Sequence, residues 1–125
     1  MARQPASSSR RPVAPAVPTT SYPVWLPNDQ FDLIFEAQQQ SGKEWPVWIA
    51  VAIASFMKEP HEEITSLLTT FVRDRKNKTR TNLRISKATL ELIETVCKDH
   101  GVGTKQACLQ HALFMYALRT HKSGN

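Results

Sequence analysis

A short strand followed by two helices is written twice in this chain, and that repetition constrains the fold more than any other feature. The first copy runs Val24-Trp25-Leu26-Pro27, a helical stretch to Gly42 and a second one ending near Met57. The second runs Leu83-Arg84-Ile85-Ser86, a helical stretch to Gly101 and a second one ending near Leu118. An offset of 59 lays Val24 on Leu83, Leu26 on Ile85, Phe31 on Leu90, Ile34 on Ile93 and Gly42 on Gly101. One extra residue in the second turn raises the offset to 60, which lays Ile49 on Leu109, Ala52 on Ala112, Ile53 on Leu113 and Phe56 on Tyr116. One strand and two helices bury too little apolar surface to close a core, so each copy is expected to bury the other. The expected fold class is mainly α with a short two-stranded antiparallel ribbon, internally duplicated and pseudo-dimeric.

The rest of the chain is assigned around that repeat. Residues 1–20 combine four prolines with Ser7, Ser8, Ser9 and the arginines Arg3, Arg10 and Arg11, and are expected to be a disordered basic tail. Residues 21–120 form one domain, with repeats at 21–57 and 80–118 joined by a connecting helix (59–74) and a basic loop (75–80). The strands are expected at Tyr22–Leu26 and Thr81–Ile85. Asn28 or Asp29 is the expected cap of the first helix, Gly42 its end, and Pro46 suits the first turn of the next. In the connecting helix, Pro60 precedes Glu62 and Glu63, and Ile64, Leu67, Leu68, Phe71 and Val72 recur at helical spacing. Leu90, Ile93, Val96 and Cys97 face the core in the helix after the second strand, which Gly101 ends, and Thr104 is a good cap for the last helix.

Charge is distributed unevenly. The net charge is +5, but residues 73–87 alone hold Arg73, Arg75, Lys76, Lys78, Arg80, Arg84 and Lys87 against a single acid, Asp74. The first copy sets Lys43 against Asp29, Asp32, Glu36 and Glu44. A basic cluster at the entry to the second strand fits a polyanion, and fits a solvated linker as well. Two cysteines make no disulfide framework, no secretory signal is evident, and Trp45–Met57 is too short an apolar run to span a bilayer. The expected location is cytoplasmic, without a membrane partner.

The stretch Thr81-Asn82-Leu83-Arg84-Ile85-Ser86, the helix closed by Gly101, and Thr104 opening a helix with Leu109, Ala112 and Leu113 together resemble the ribbon-helix-helix family of DNA-binding proteins. The resemblance covers about residues 21–57 and 80–118. It implies a ribbon whose alternate polar residues enter the major groove of double-stranded DNA, with a phosphate at the N-terminus of each second helix. The base-contacting positions it implies are Arg80, Asn82 and Arg84 on the second strand and Trp25 on the first. Arginine suits guanine and asparagine suits adenine, each worth about 1–3 kcal/mol of discrimination. Arg84 also reads as an ordinary exposed strand arginine, and Trp25 as a side chain buried against the connecting helix. Phosphate contacts are implied at Thr104, Lys105 and Lys43, with Arg75, Lys76 and Lys78 adding nonspecific attraction. Neutralising four to six phosphates would give a log–log salt slope of roughly −4 to −5.

This chain departs from the family's usual form by carrying both halves itself. It resembles tandem single-chain members that act as accessory factors in plasmid or T-DNA processing and transfer, with relaxosome-type proteins as further partners. Such a chain is internally paired and needs no second copy to fold. Transcriptional repression is the alternative use of the same surface. A protein-binding adaptor or antitoxin-like module, gripping a partner through Trp45, Trp48 or the connecting helix, is the rival from another class. Cys97-x-x-His100 and Cys108-x-x-His111 offer four zinc-ligand types, but the spacing is unlike a common finger and both cysteines fall at apolar helical positions. No metal, cofactor or catalytic site is expected, since no oxyanion element, third catalytic group or phosphate-cradling loop accompanies the cysteine–histidine pairs.

Overall fold

A computed structural model describes residues 18–70 and 75–122. Their order is β1 (Thr19–Pro27), α1 (Asn28–Ser41), α2 (Trp45–Phe56), α3 (His61–Thr69), β2 (Lys78–Ser86), α4 (Lys87–His100) and α5 (Lys105–Thr120). The described residues are mainly helical, with a two-stranded antiparallel sheet.

The strands pair along their full length, from Thr19 opposite Ser86 through Pro23 opposite Asn82 to Pro27 opposite Lys78. Strand residues alternate faces, so this register sorts the side chains into two sets. Val24, Leu26, Leu83 and Ile85 form the inner set and are buried. Ser21, Pro23 and Trp25, opposite Arg84, Asn82 and Arg80, form the outer set.

The inner face rests on a core built mainly from α2 and α5, which pack against each other. Trp48, Ile49, Ala52, Ile53 and Phe56 of α2, and Leu109, Ala112, Leu113 and Ala117 of α5, are buried. Ile34 and Ala37 of α1, Ile93 and Val96 of α4, and Ile64 and Leu68 of α3 complete the cluster. Truncating a fully buried aliphatic such as Ile53 or Leu113 to alanine removes about 2–5 kcal/mol, a large share of a small domain's stability.

Turn chemistry sets the helix ends. Gly42 (φ 72°) and Gly101 (φ 67°) both close their helices in the left-handed conformation, which costs glycine nothing sterically. At Gly103 (φ 101°) an added Cβ would lie 2.9 Å from Leu68 Cβ, so the missing side chain lets α3 lie close on the α4–α5 turn. Ser86 caps α4 by accepting from the Thr89 amide, and Thr104 caps α5 by accepting from the Ala107 amide.

Several local expectations need correction. Neither Asn28 nor Asp29 caps α1. The cap position is Pro27, and Asn28 is already helical, its amide donating to the Asn77 carbonyl and its side-chain oxygen accepting from Thr79. The ribbon is longer than expected at both ends because antiparallel pairing recruits Thr19 and Thr20 out of the presumed tail, adds Ser21, and recruits Lys78–Arg80 out of the presumed loop. The turn before β2 is tighter than the 75–80 loop, with Asn77 left-handed (φ 63°) and the Lys78 amide donating to the Arg75 carbonyl. The connecting helix is described over His61–Thr69. Its expected continuation through Phe71 and Val72, together with Arg73, Asp74 and the tail arginines Arg3, Arg10 and Arg11, lies outside the described residues.

Candidate nucleic-acid interface

Arg80, Asn82 and Arg84 stand in one row on the outer face of β2, and all three are exposed. At about 3.3 Å per residue the row is about 13 Å long, close to four base-pair steps of 3.4 Å. Opposite it, β1 presents Ser21, Pro23 and the half-buried Trp25. The face is therefore asymmetric, with its basic groups on one strand and a proline and an indole on the other.

Trp25 is held from two sides. The Arg75 guanidinium lies over its ring, 4.5 Å from the centroid, a cation–π contact worth about 0.5–1 kcal/mol where exposed. Its backbone is clamped by α5. The Trp25 amide donates to Gln106 Oε1 (3.0 Å), Gln106 Nε2 donates to the Pro23 carbonyl (2.7 Å), and Gln110 Nε2 donates to the Trp25 carbonyl. Two glutamines one turn apart thus satisfy the edge of β1 that faces away from β2. Pro23 fits this edge because the amide it lacks belongs to no ladder hydrogen bond. Sequence reasoning assigned nothing to Gln106 or Gln110. Gln110 lies outside the apolar stripe expected for α5, and its burial is seen only in the structure.

The other basic residues fall into two groups. Arg75, Lys76 and Lys78 flank the turn into β2, and Lys76, Asn77 and Lys78 share a shallow recess with Pro27, Asn28 and Asp29. At the start of α5, Thr104 is the cap and Lys105 pairs with Glu94 at 2.9 Å, which raises the lysine's pKa through that hydrogen bond. Both partners are substantially exposed, so the pair adds little stability. Lys43 is exposed in the turn before α2, but that helix has Glu44 at its cap position and carries Pro46 in its first turn. The N-terminus of α2 thus carries a carboxylate and lacks one amide, where that of α5 carries a hydroxyl cap and no proline.

The four candidate metal ligands lie in different settings. Cys108 is fully buried, and its thiol is pushed up to about 12 by desolvation. Burial also raises Cys97. His100 accepts or donates through Nδ1 to the Thr65 hydroxyl (2.7 Å) and stacks on His61 with ring centroids 4.1 Å apart. His111 bonds the Leu67 backbone while burial lowers its pKa. Among the described residues, no group of three or more His, Cys, Asp or Glu side chains is arranged to hold a metal ion, and no helix is long and apolar enough to cross a membrane. The chain matches no protein-family model, and comparisons with curated proteins and with solved structures gave no match.

Proposed function

We propose that this protein binds double-stranded DNA by inserting the β1–β2 ribbon into the major groove, as an accessory factor in plasmid or T-DNA processing. The observation that carries the reading is the exposed Arg80, Asn82, Arg84 row on a two-stranded ribbon whose opposite face is buried. A ribbon of this width fits a groove about 12 Å across, and the three side chains supply donors suited to guanine and adenine edges. The accessory role follows the resemblance to tandem members of the ribbon-helix-helix family.

Internal duplication is part of the proposal, and the element boundaries support it. Adding 59 to the limits of β1 and α1 returns the limits of β2 and α4, and adding 60 to the start of α2 returns the start of α5. The register pairs Pro23 with Asn82, two residues separated by that same 59, so a pseudo-twofold axis passes between them. Around this axis the halves differ, with Trp25 and Arg80 on one side and Ser21 and Arg84 on the other. A duplicated chain with unlike halves is suited to a site without palindromic symmetry, which a symmetric dimer is not. Phosphate positioning falls mainly to the α5 N-terminus, where backbone amides and helix dipole converge beside Thr104 and Lys105.

The test is fluorescence anisotropy of labelled duplex DNA titrated with the protein at several salt concentrations. Binding should weaken with salt at a log–log slope of roughly −4 to −5. Asn82→Ala/Arg84→Ala should bind at least tenfold more weakly at equal helicity. Equal binding by the two proteins would refute the ribbon as the DNA-reading surface.

A further inference from the structure

The outward side of α2 is unlike any ordinary exposed helix face. No charged residue occurs between Trp45 and Met57. Trp48, Ile49, Ala52, Ile53 and Phe56 point into the core, which leaves Val47 (51% exposed), Val51 (36% exposed) and Ala54 facing out. Exposed helix faces normally carry polar and charged residues, as α4 does with Glu91, Glu94, Thr95 and Lys98. The apolar strip is bounded by exposed Glu44 at one end and exposed Lys58 at the other. Within α2 the exposed positions 47, 51 and 54 are spaced four and three apart, the seam periodicity of packed helix pairs, with Glu44 at the cap position before the helix and Lys58 in the turn after it.

The corresponding position on α5 is already covered. His111, sixty residues after Val51, is held by the backbone of Leu67 in α3, which packs on α4 and α5. Among the described residues, nothing fills on the α2 side the seat that α3 fills on the other.

We infer that this strip is the contact surface for a second copy of the same chain, with the two α2 helices packed antiparallel about a twofold axis at Val51. The charges at its ends select that occupant and that direction. An antiparallel pair sets Val51 against the partner's Val51, and Glu44 against the partner's Lys58 at both ends. A parallel pair would oppose like charges at each end. The 12 residues of α2 span about 18 Å, so the contact belongs to the small, transient class. Copies associated in this way present two ribbons, and the contact itself requires no nucleic acid.

Sedimentation equilibrium of the full chain, at low salt and from about 10 µM to about 1 mM, tests this directly. The mean mass should climb from 14.1 kDa towards twice that value. Val51→Lys, which sets two ammonium groups face to face, and Glu44→Lys, which opposes the partner's Lys58, should each weaken association by about tenfold or more. Glu44→Lys/Lys58→Glu exchanges both signs and should restore it. All three positions are exposed, so helicity by circular dichroism should be unchanged. A mass that stays monomeric throughout, association untouched by Val51→Lys, or a double exchange no better than Glu44→Lys would overturn the inference. None of these outcomes bears on DNA binding by the ribbon.

Discussion

Gln106 makes two hydrogen bonds to the outer edge of β1, at 3.0 Å from the Trp25 amide and 2.7 Å to the Pro23 carbonyl, in a half-buried setting. Truncation to alanine leaves one donor and one acceptor without that partner. Each hydrogen bond contributes about 0.5–1.5 kcal/mol net, so Gln106→Ala should cost about 1–3 kcal/mol. For a domain of about 100 residues this lowers the melting temperature by roughly 5–15 °C. Because the clamp fixes the backbone beneath Trp25, DNA affinity should fall too, although Gln106 is assigned no base. Gln106→Glu separates the two bonds, since it keeps an acceptor for the Trp25 amide but sets a carboxylate against the Pro23 carbonyl. It should be at least as damaging at neutral pH as alanine. Thermal unfolding by circular dichroism, beside urea midpoints at 25 °C, measures both variants. A Gln106→Ala protein melting within about 1 °C of wild type would refute the idea that the glutamine clamp holds the ribbon.

Other consequences can be read with the same assays. Gly103→Ala combines a positive φ with a 2.9 Å approach to Leu68 Cβ and should cost about 1–3 kcal/mol, whereas Gly42→Ala, with nothing within 4 Å, should cost about 1 kcal/mol. Comparable urea midpoints for the two would contradict the close seating of α3. Arg75→Ala should destabilise the fold by no more than about 1 kcal/mol while reducing the salt slope of DNA binding by about 1; an unchanged slope would remove Arg75 from the phosphate contacts. Burial lowers the pKa of His111, against a weaker raising effect from its bond to Leu67, and burial also lowers His100. The unfolded chain therefore binds more protons below about pH 6.5, so stability is complete above that pH and falls as pH drops through the folded values. His111→Gln should flatten the fall below about pH 6.5, measured as urea midpoints; an unchanged profile would show that His111 does not contribute to it.

Local signals in the sequence were sufficient at β2 and at several helix ends, though not at Asn28 or Asp29, where Pro27 holds the cap position. Leu83 and Ile85 alternate with Asn82 and Arg84, so one face of β2 had to be apolar, and the structure buries those two and exposes the others. Gly42, Gly101 and Thr104 mark helix boundaries because left-handed closure and hydroxyl capping each need particular residues. What escaped was set by distant partners. Thr19-Thr20-Ser21 has the composition of a tail and becomes strand only because Arg84-Ile85-Ser86 lies opposite. Gln106 and Gln110 are unremarkable in a helix, and their partners are backbone atoms more than 80 residues away. Arg75 could be read as charge but not as the group that covers Trp25.

The most direct test of the central reading is to add a duplex DNA to isotopically labelled protein and follow the backbone amide signals residue by residue. DNA binding through the ribbon predicts that the largest shifts cluster at Arg80–Arg84 and Ser21–Trp25, with a second set at Thr104–Gln106, and that α2 residues such as Val47 and Val51 stay unmoved. Shifts concentrated on α2 or α4 with the ribbon silent, or no shifts at low salt, would contradict it.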